Sequence, residues 1–390
     1  METRNKRVYL SPPHMNGAEM KYVRRAFRTN WIAPLGENID KFEESVRSYV
    51  RMPEAVALSS GTAAIHLALK ALGVSAGDAV FCSDVTFAGS CNPIMYLGAE
   101  PVFIDSDMES WCISPVLLEK ALAEYKSRNR LPKAVIVVDL YGLPADYGRI
   151  LEICRRYGVP VLEDAAEALG SSYKDEKCGS FGDIGALSFN ANKIITTSGG
   201  GMALLRDRAA AEKIRYWAAQ AREKTPHYEH RDIGYNYRLS NVTAGIGRGQ
   251  MESLDRYVAA RRAILERYKE GLCGFPVSFN PLIAGAEPNC WLSVMVIGES
   301  CEAGPGDIIE ALSEENIESR PFWKPMHSQP AYRGFDFWSE EGSVPVGDYL
   351  FGRAVCLPSG SAMSEKTQSR IIGIIKKRLS EKARCAKYGD

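Results

Sequence analysis

Lys193 ends the run Ala186-Leu187-Ser188-Phe189-Asn190-Ala191-Asn192-Lys193 and is followed by Thr196, Thr197, Ser198 and the glycines Gly199, Gly200 and Gly201. A lysine set between a short apolar run and a glycine-rich turn is held by rigid backbone, which suits an amine that must form an imine at a fixed place. Upstream, Ser59-Ser60-Gly61-Thr62 opens an apolar-periodic stretch. Free backbone N–H groups and the positive end of a helix dipole there would hold a phosphate, although an ordinary serine cap with a tight-turn glycine has the same signature. Between the two lies Glu163-Asp164-Ala165-Ala166-Glu167-Ala168-Leu169-Gly170, with carboxylates set among apolar residues. A carboxylate pair at a strand end would bind a metal, act as acid and base, or pair with a buried cation.

Such residues need elements to hold them, and the sequence alternates. Short apolar runs predict strands over 55–58, 79–82, 101–104, 134–138, 159–162, 185–189 and 201–205, with helical patterns filling the gaps. Asn16 with Glu19 three residues on predicts the cap of a first helix ending near Arg28, and further helices are expected over 39–50, 145–157 and 251–271. Alternation of this kind implies an α/β fold with a mostly parallel sheet covered on both faces. Ligands bind outside the carboxyl ends of such strands, so the residues just after each strand are the natural site candidates. Beyond the long helix, strands over 291–297 and 354–357 and helices over 307–314 and 365–379 predict a smaller α+β unit with an antiparallel sheet. The expected division is a large domain over 1–250 and a small one over 251–390.

Composition narrows the classes. Lysine plus arginine equals aspartate plus glutamate at 48 each, so no net field draws nucleic acid or an anionic membrane. The ten cysteines contain no Cys-x-x-Cys pair, which argues against a zinc site and a disulfide framework and for reduced thiols in the cytoplasm. The charged Met1 to Arg7 precedes no apolar run of signal length, and no stretch reaches the roughly twenty apolar residues of a membrane span. A soluble, unexported protein is expected.

A phosphate-binding helix start, a strand-end aspartate and a downstream lysine together meet the needs of pyridoxal 5'-phosphate, which requires a phosphate cradle, an anion opposite its ring nitrogen and an amine for its aldehyde. Asp164 would favour the protonated ring, each pKa unit being worth about 1.4 kcal/mol.

At this point the residues match a family. Ser60-Gly61-Thr62, the segment 163–170, Phe181-Gly182-Asp183 through Lys193, and Gly234-Tyr235-Asn236-Tyr237-Arg238 resemble the DegT/DnrJ/EryC1/StrS nucleotide-sugar aminotransferases over nearly the whole chain. The resemblance implies the type I, aspartate aminotransferase-like fold of pyridoxal phosphate-dependent transferases, working as a homodimer with active sites at the subunit interface. It implies that Lys193 is the catalytic lysine and Asp164 the ring-nitrogen partner. Gly61, Thr62 and Ser188 fall at phosphate-binding positions, Phe87 at the aromatic that stacks on the ring, and Asn236 at an asparagine that reaches the phosphate from the neighbouring subunit. Glu167 stands close to the cofactor's phenolic oxygen, where many members carry glutamine or histidine. The usual Gly-Glu-Gly-Gly run appears here as Ser198-Gly199-Gly200-Gly201, so the turn is kept and a carboxylate is lost.

Within the family the chain is most similar to the subgroup that aminates carbon 4 of UDP-4-keto-6-deoxy-N-acetylglucosamine on routes to bacillosamine-type sugars. The segments that carry this are Pro12-Pro13-His14-Met15, Asn30-Trp31-Ile32-Ala33-Pro34-Leu35-Gly36 and Arg320-Pro321-Phe322-Trp323-Lys324-Pro325-Met326-His327. The resemblance implies a substrate pocket drawn from Asn30, Trp31, Ile32, Ala33, Arg238, Trp323, Lys324, Pro325, Met326 and His327. The tryptophans would pack on uracil or sugar, Lys324 or Arg238 would meet the diphosphate, and His327 would hydrogen-bond the sugar. The implied reaction takes an amino group from glutamate to the C4 ketone, giving a UDP-4-amino-4,6-dideoxy-N-acetylhexosamine. Competing readings are a 3-keto, dTDP-linked or cyclitol substrate, and a non-catalytic binding protein on the same scaffold. A related dehydratase chemistry goes with histidine at the lysine position, and Lys193 argues against it.

Overall fold

The computed structural model describes residues 6–385, with side chains described through Lys382, so Met1 to Asn5 of the charged terminus and the side chain of Cys385 lie outside the described residues. The chain begins with helices α1 (Glu19–Arg28) and α2 (Glu37–Val50) and then alternates through β1 (Glu54–Leu58), α3 (Gly61–Ala71), β2 (Ala79–Ser83), α4 (Ala88–Tyr96), β3 (Glu100–Ile104), α5 (Pro115–Ser127), β4 (Ala134–Val138), α6 (Tyr147–Tyr157) and β5 (Val161–Asp164). A small hairpin, β6 (Ser172–Tyr173) and β7 (Glu176–Lys177), leads to β8 (Ile184–Ser188), β9 (Gly201–Leu205), α7 (Arg208–Ala218), α8 (Asn241–Met251) and α9 (Leu254–Gly271). The remainder comprises β10 (Val277–Phe279), β11 (Ala286–Glu287), β12 (Ser293–Ile297), α10 (Pro305–Glu314), β13 (Arg320–Pro321), β14 (Phe337–Trp338), α11 (Val346–Arg353), β15 (Ala354–Leu357) and α12 (Glu365–Cys385).

Among the described residues, β1, β9, β8, β5, β4, β2, β3 and β14 form one eight-stranded sheet in that spatial order. The pairs from β8 through β14 are parallel, and only the two pairs made by β9 are antiparallel. β4 is apolar and buried at every position, as a strand covered on both faces must be. Its alternating residues serve two cores: Val135 and Val137 face α5 and α6, whereas Ile136 and Val138 join Leu67, Ile94 and Ile214 from α3, α4 and α7. A separate antiparallel sheet, β10-β12-β15-β13, packs with α9, α10 and α12 around Met295, Val355 and Ile375. The halves are laced together. β14 extends the large sheet beside β3, and Val8 bridges Ile317 beside the smaller one.

Two departures from the sequence expectation have local causes. The fifth strand runs over Val161–Asp164 rather than 159–162, because Gly158 closes α6 in the left-handed region and Pro160 has no N–H for the ladder. The helix expected over 251–271 is α9, which starts at Leu254, and it is preceded by a helix that was not expected, α8, capped by Ser240. Gly245, Gly247 and Gly249 make α8 look like a poor helix, yet a Cβ at each would lie 2.8 Å from Asn38, 2.6 Å from Phe42 and 2.5 Å from the Glu19 backbone. The glycines let α1 and α2 lie directly on it. Asn16 is not the N-cap expected of it: Ala18 takes that place without a side-chain cap, while Asn16 lies two residues before it, its N–H donating to Glu19 Oε1 at 2.9 Å and its Oδ1 accepting the Ala18 N–H at 2.7 Å.

The shift of β5 changes the meaning of its carboxylates, because successive strand residues face opposite sides of a sheet. Asp164 turns toward α4, while Glu163 accepts backbone N–H groups from Gly179, Phe181 and Gly182 on the other face. Beside Glu163, Asp139 Oδ1 accepts the Tyr147 hydroxyl at 2.8 Å and the Ala145 N–H at 3.1 Å. Burial pushes the Glu163 carboxyl up to about 7 against its three amide donors, and burial together with the Glu163 charge pushes the Asp139 carboxyl well above the usual range. A carboxyl raised in the folded state stabilises fully below its unfolded value and loses that contribution as pH rises through the folded one. Wild-type protein should therefore lose urea resistance between about pH 5 and pH 9 more steeply than Asp139→Asn, which cannot ionise; parallel curves would refute a neutral Asp139. The start of β9 yields a second expectation. A Cβ on Gly201 would sit 2.2 Å from the Ser60 carbonyl oxygen, whereas one on Gly199 meets nothing within 4 Å. Gly201→Ala should cost about 1–3 kcal/mol in urea denaturation, and Gly199→Ala about 0.5 kcal/mol or less. No helix among the described residues is long and apolar enough to cross a membrane.

Candidate active site

The ends of β1, β2, β5 and β8 open on one cavity of about 720 Å³, lined among others by Gly61, Thr62, Phe87, Asp164, Glu167, Ser188, Lys193 and Trp323. Each arrives by a short connection from its strand. After β1, the Ser60 hydroxyl accepts the Ala63 N–H and caps α3, while the Ser60 carbonyl takes the Ala64 N–H. The N–H groups of Gly61 and Thr62 precede the first intrahelical bonds and lie at the positive end of the dipole, and both residues line the cavity. Ser188 lies opposite, and a Cβ on Gly61 would come within 2.9 Å of the Ser188 Cβ. Glycine at 61 lets the start of α3 pack directly against Ser188 and the Leu187 carbonyl.

Asp164 lies at the buried end of the cavity. Its Oδ2 accepts the Ser90 hydroxyl at 2.6 Å, and Ser90 is in turn 2.6 Å from the Thr86 hydroxyl. Burial pushes the Asp164 carboxyl above its ordinary value, and the donors from Ser90 and Ala166 work against that. Phe87, just before α4, is 64% exposed on the cavity wall, unusual for a phenylalanine, with the Trp323 ring 5.9 Å away.

Lys193 is fixed at both ends. Its N–H donates to Asn190, and the following turn is pinned by Thr196 and Thr197 on the Phe189 carbonyl. Its Nζ lies 3.1 Å from Glu167 Oε1, with side chains 10% and 4% exposed. Glu167 Oε2 accepts the Tyr141 N–H at 2.7 Å, so both oxygens are occupied. Burial raises the Glu167 carboxyl, and the Lys193 charge opposes the shift. The Lys193 amine also sits 4.1 Å from the centre of the Trp291 ring.

Other residues inferred from the sequence lie elsewhere in this chain. Asn30, Trp31, Ile32 and Ala33 do not line the cavity; Trp31 and Ile32 are about half exposed, at 51% and 49%, beside exposed Phe27 and Leu35. Asn236 is exposed and bonded to Gln220, and Arg238 is half-buried beside Leu58. Lys324 points to solvent, and Pro325 and Met326 are buried, Met326 within the core under α4. His327 Nδ1 bonds Asp84 at 2.7 Å, and its ring stacks on Phe337 at 3.9 Å. Burial disfavours its charge, but the Asp84 carboxylate outweighs this and leaves His327 above its ordinary value. It ties the end of β2 to β14 and is not among the residues lining the cavity. Pro12 and Pro13 do line the cavity, whereas His14 stacks on Tyr257 at 4.7 Å.

The cavity also contains residues to which sequence reasoning assigned no site role: Ser90, Trp291, Glu318 and Tyr9 to Ser11. Ser90 follows Phe87 by one helical turn start, a spacing that could have found it. Trp291 and Glu318 come from distant parts of the chain and carry no local signal. Arg320, quoted only within a motif, lines the cavity and pairs with Glu318 at 2.8 Å.

Comparison with known proteins adds a line independent of this geometry. Residues 13–376 match the family model described as the DegT/DnrJ/EryC1/StrS aminotransferase family. A putative pyridoxal phosphate-dependent aminotransferase, EpsN, of Bacillus subtilis (strain 168) is 51% identical over 95% of both chains. The GDP-perosamine synthase of Caulobacter vibrioides is 35% identical over 95% of this chain and 97% of its own. A crystal structure of a DegT DnrJ EryC1 StrS aminotransferase from Brucella abortus superposes with a TM-score of 0.86 at 31% identity, covering 93% of this chain and 95% of that one.

Proposed function

The chain belongs to the DegT/DnrJ/EryC1/StrS aminotransferase family and is a pyridoxal phosphate-dependent sugar transaminase, and we propose that it transfers an amino group from glutamate to the C4 ketone of UDP-2-acetamido-2,6-dideoxy-hexos-4-ulose. The product would be a UDP-4-amino-4,6-dideoxy-N-acetylhexosamine. The observation that carries the catalytic assignment is Lys193 Nζ, buried at 3.1 Å from Glu167 in the same cavity as Asp164 and the start of α3.

The residues fit the cofactor. Gly61 and Thr62 N–H groups, with the Ser188 hydroxyl packed beside them on the cavity wall, offer donors to a phosphate. Asp164 presents a buried anion to a ring nitrogen, and the exposed ring of Phe87 on the cavity wall suits stacking on an aromatic ring. When bound, pyridoxal phosphate supplies an aldehyde for Lys193 and a protonated ring that accepts electron density. Lys193 must be neutral to form a bond or take a proton, and the adjacent Glu167 is the group placed to receive the proton it gives up. Tyr141 N–H holds Glu167 in that position.

Asn236 and the stretch 30–33 lie off this chain's own cavity, and Phe27, Trp31, Ile32 and Leu35 leave an apolar surface exposed. A homodimer in which a second copy contributes Asn236 and the 30–33 stretch to the site accounts for both facts. Free thiols at the nine described cysteines support a cytoplasmic setting.

Trp323, with Pro12 and Pro13 on the cavity wall, supports a sugar-nucleotide pocket. The relatives named GDP-perosamine synthase favour a GDP-linked keto sugar as the second reading. A panel of UDP-, GDP- and dTDP-linked 4-keto sugars with glutamate separates the readings. We expect the UDP substrate to exceed the others at least about tenfold in kcat/KM, a difference of about 1.4 kcal/mol, with parallel double-reciprocal lines from a ping-pong scheme. Preference for the GDP sugar overturns the UDP assignment, and intersecting lines overturn the covalent scheme.

A further inference from the structure

We infer that Trp291 is a positioning residue that holds the amino group of Lys193 at the cofactor's attachment point; the inference rests on Lys193 being that point. The indole ring lies under Nζ at 4.1 Å from its centroid, within the range where a cation is drawn to the face of an aromatic ring. The same indole donates its Nε1–H to the carbonyl of Asn192, the residue before Lys193, at 2.6 Å. One side chain therefore touches both the amine and the backbone that carries it.

The ring is itself immobilised. Trp291 is 2% exposed, its N–H donates to Asn289 Oδ1 at 2.9 Å, and its carbonyl accepts the buried Arg261 guanidinium. Asn289 Nδ2 donates to the carbonyls of Glu167 at 2.8 Å and Leu169 at 2.9 Å. The segment 289–291, which lies just before β12, thus fixes the backbone of Glu167 and the head of Lys193 together. Without the ring, Nζ would keep its hydrogen bond to Glu167 but could swing along the cavity, because a lysine side chain has four rotatable bonds.

The test compares two cofactor forms on apoprotein. Pyridoxal phosphate must bond to Lys193, whereas pyridoxamine phosphate uses the same pocket without that bond. In Trp291→Leu we expect the rate of pyridoxal phosphate capture, followed by absorbance and by borohydride trapping, to fall about tenfold, with pyridoxamine phosphate affinity within about twofold of wild type. Trp291→Phe keeps an aromatic face and should capture within about threefold of wild type. Should Trp291→Leu fail to fold, Trp291→Met carries the same expectation. Capture at the wild-type rate in the Leu or Met variant overturns the inference. So does an equal fall in affinity for both cofactor forms, which would mark a merely structural role. If wild-type protein captures neither form, the transaminase reading fails instead.

Discussion

A lysine amine and a glutamate carboxyl held 3.1 Å apart, almost out of water, are the constraint around which the site is organised. Either charge alone would be costly there, since breaking a buried pair by removing one partner typically costs about 3–5 kcal/mol. The fold supports the pair from several directions. Tyr141 N–H occupies the second Glu167 oxygen, Asn289 anchors the Glu167 carbonyl, and the Trp291 ring lies against Nζ. The result is an amine with a defined position and a nearby proton acceptor.

The sheet explains why the other groups converge on that pair. Parallel order from β8 through β3 brings the carboxyl ends of β2, β5 and β8 to one edge, and two reversals at β9 bring the end of β1 to the same edge. Phe87, Asp164, Lys193 and the capped start of α3 then need only short connections to face a common cavity. The smaller sheet completes the wall with Trp291, Arg320 and Trp323, so the cavity exists only when both sheets are in place. Gly61 and Gly201 let the start of α3 pack closely against Ser188 and the start of β9, respectively.

Much of this was legible in the sequence where the signal was local. Strand runs such as 134–138 and 201–205 were read to the residue, because uninterrupted apolar stretches flanked by polar turns leave little choice. Lys193, Asp164, Gly61 and Thr62 were legible for the same reason, each sitting at the mouth of its own strand. The reading failed where a single residue moved a boundary, as Pro160 moved β5, or where packing overrode propensity, as in glycine-rich α8. It also had no access to groups delivered from far along the chain. Trp291 lies nearly a hundred residues from Lys193, Met326 packs in the core under α4, and His327 is held between Asp84 and Phe337 of β14. The motif at 320–327 therefore divides: Arg320 and Trp323 reach the cavity, and its last three residues do not.

The central claim is that Lys193 is the residue that bonds the cofactor. Reduction of the yellow holoprotein with borohydride, digestion and mass spectrometry measure it directly. The account predicts a phosphopyridoxyl adduct on the peptide containing Lys193 and none on other lysines; an unmodified Lys193 with the adduct elsewhere, or no adduct in a holoprotein that retains its absorbance, would contradict it.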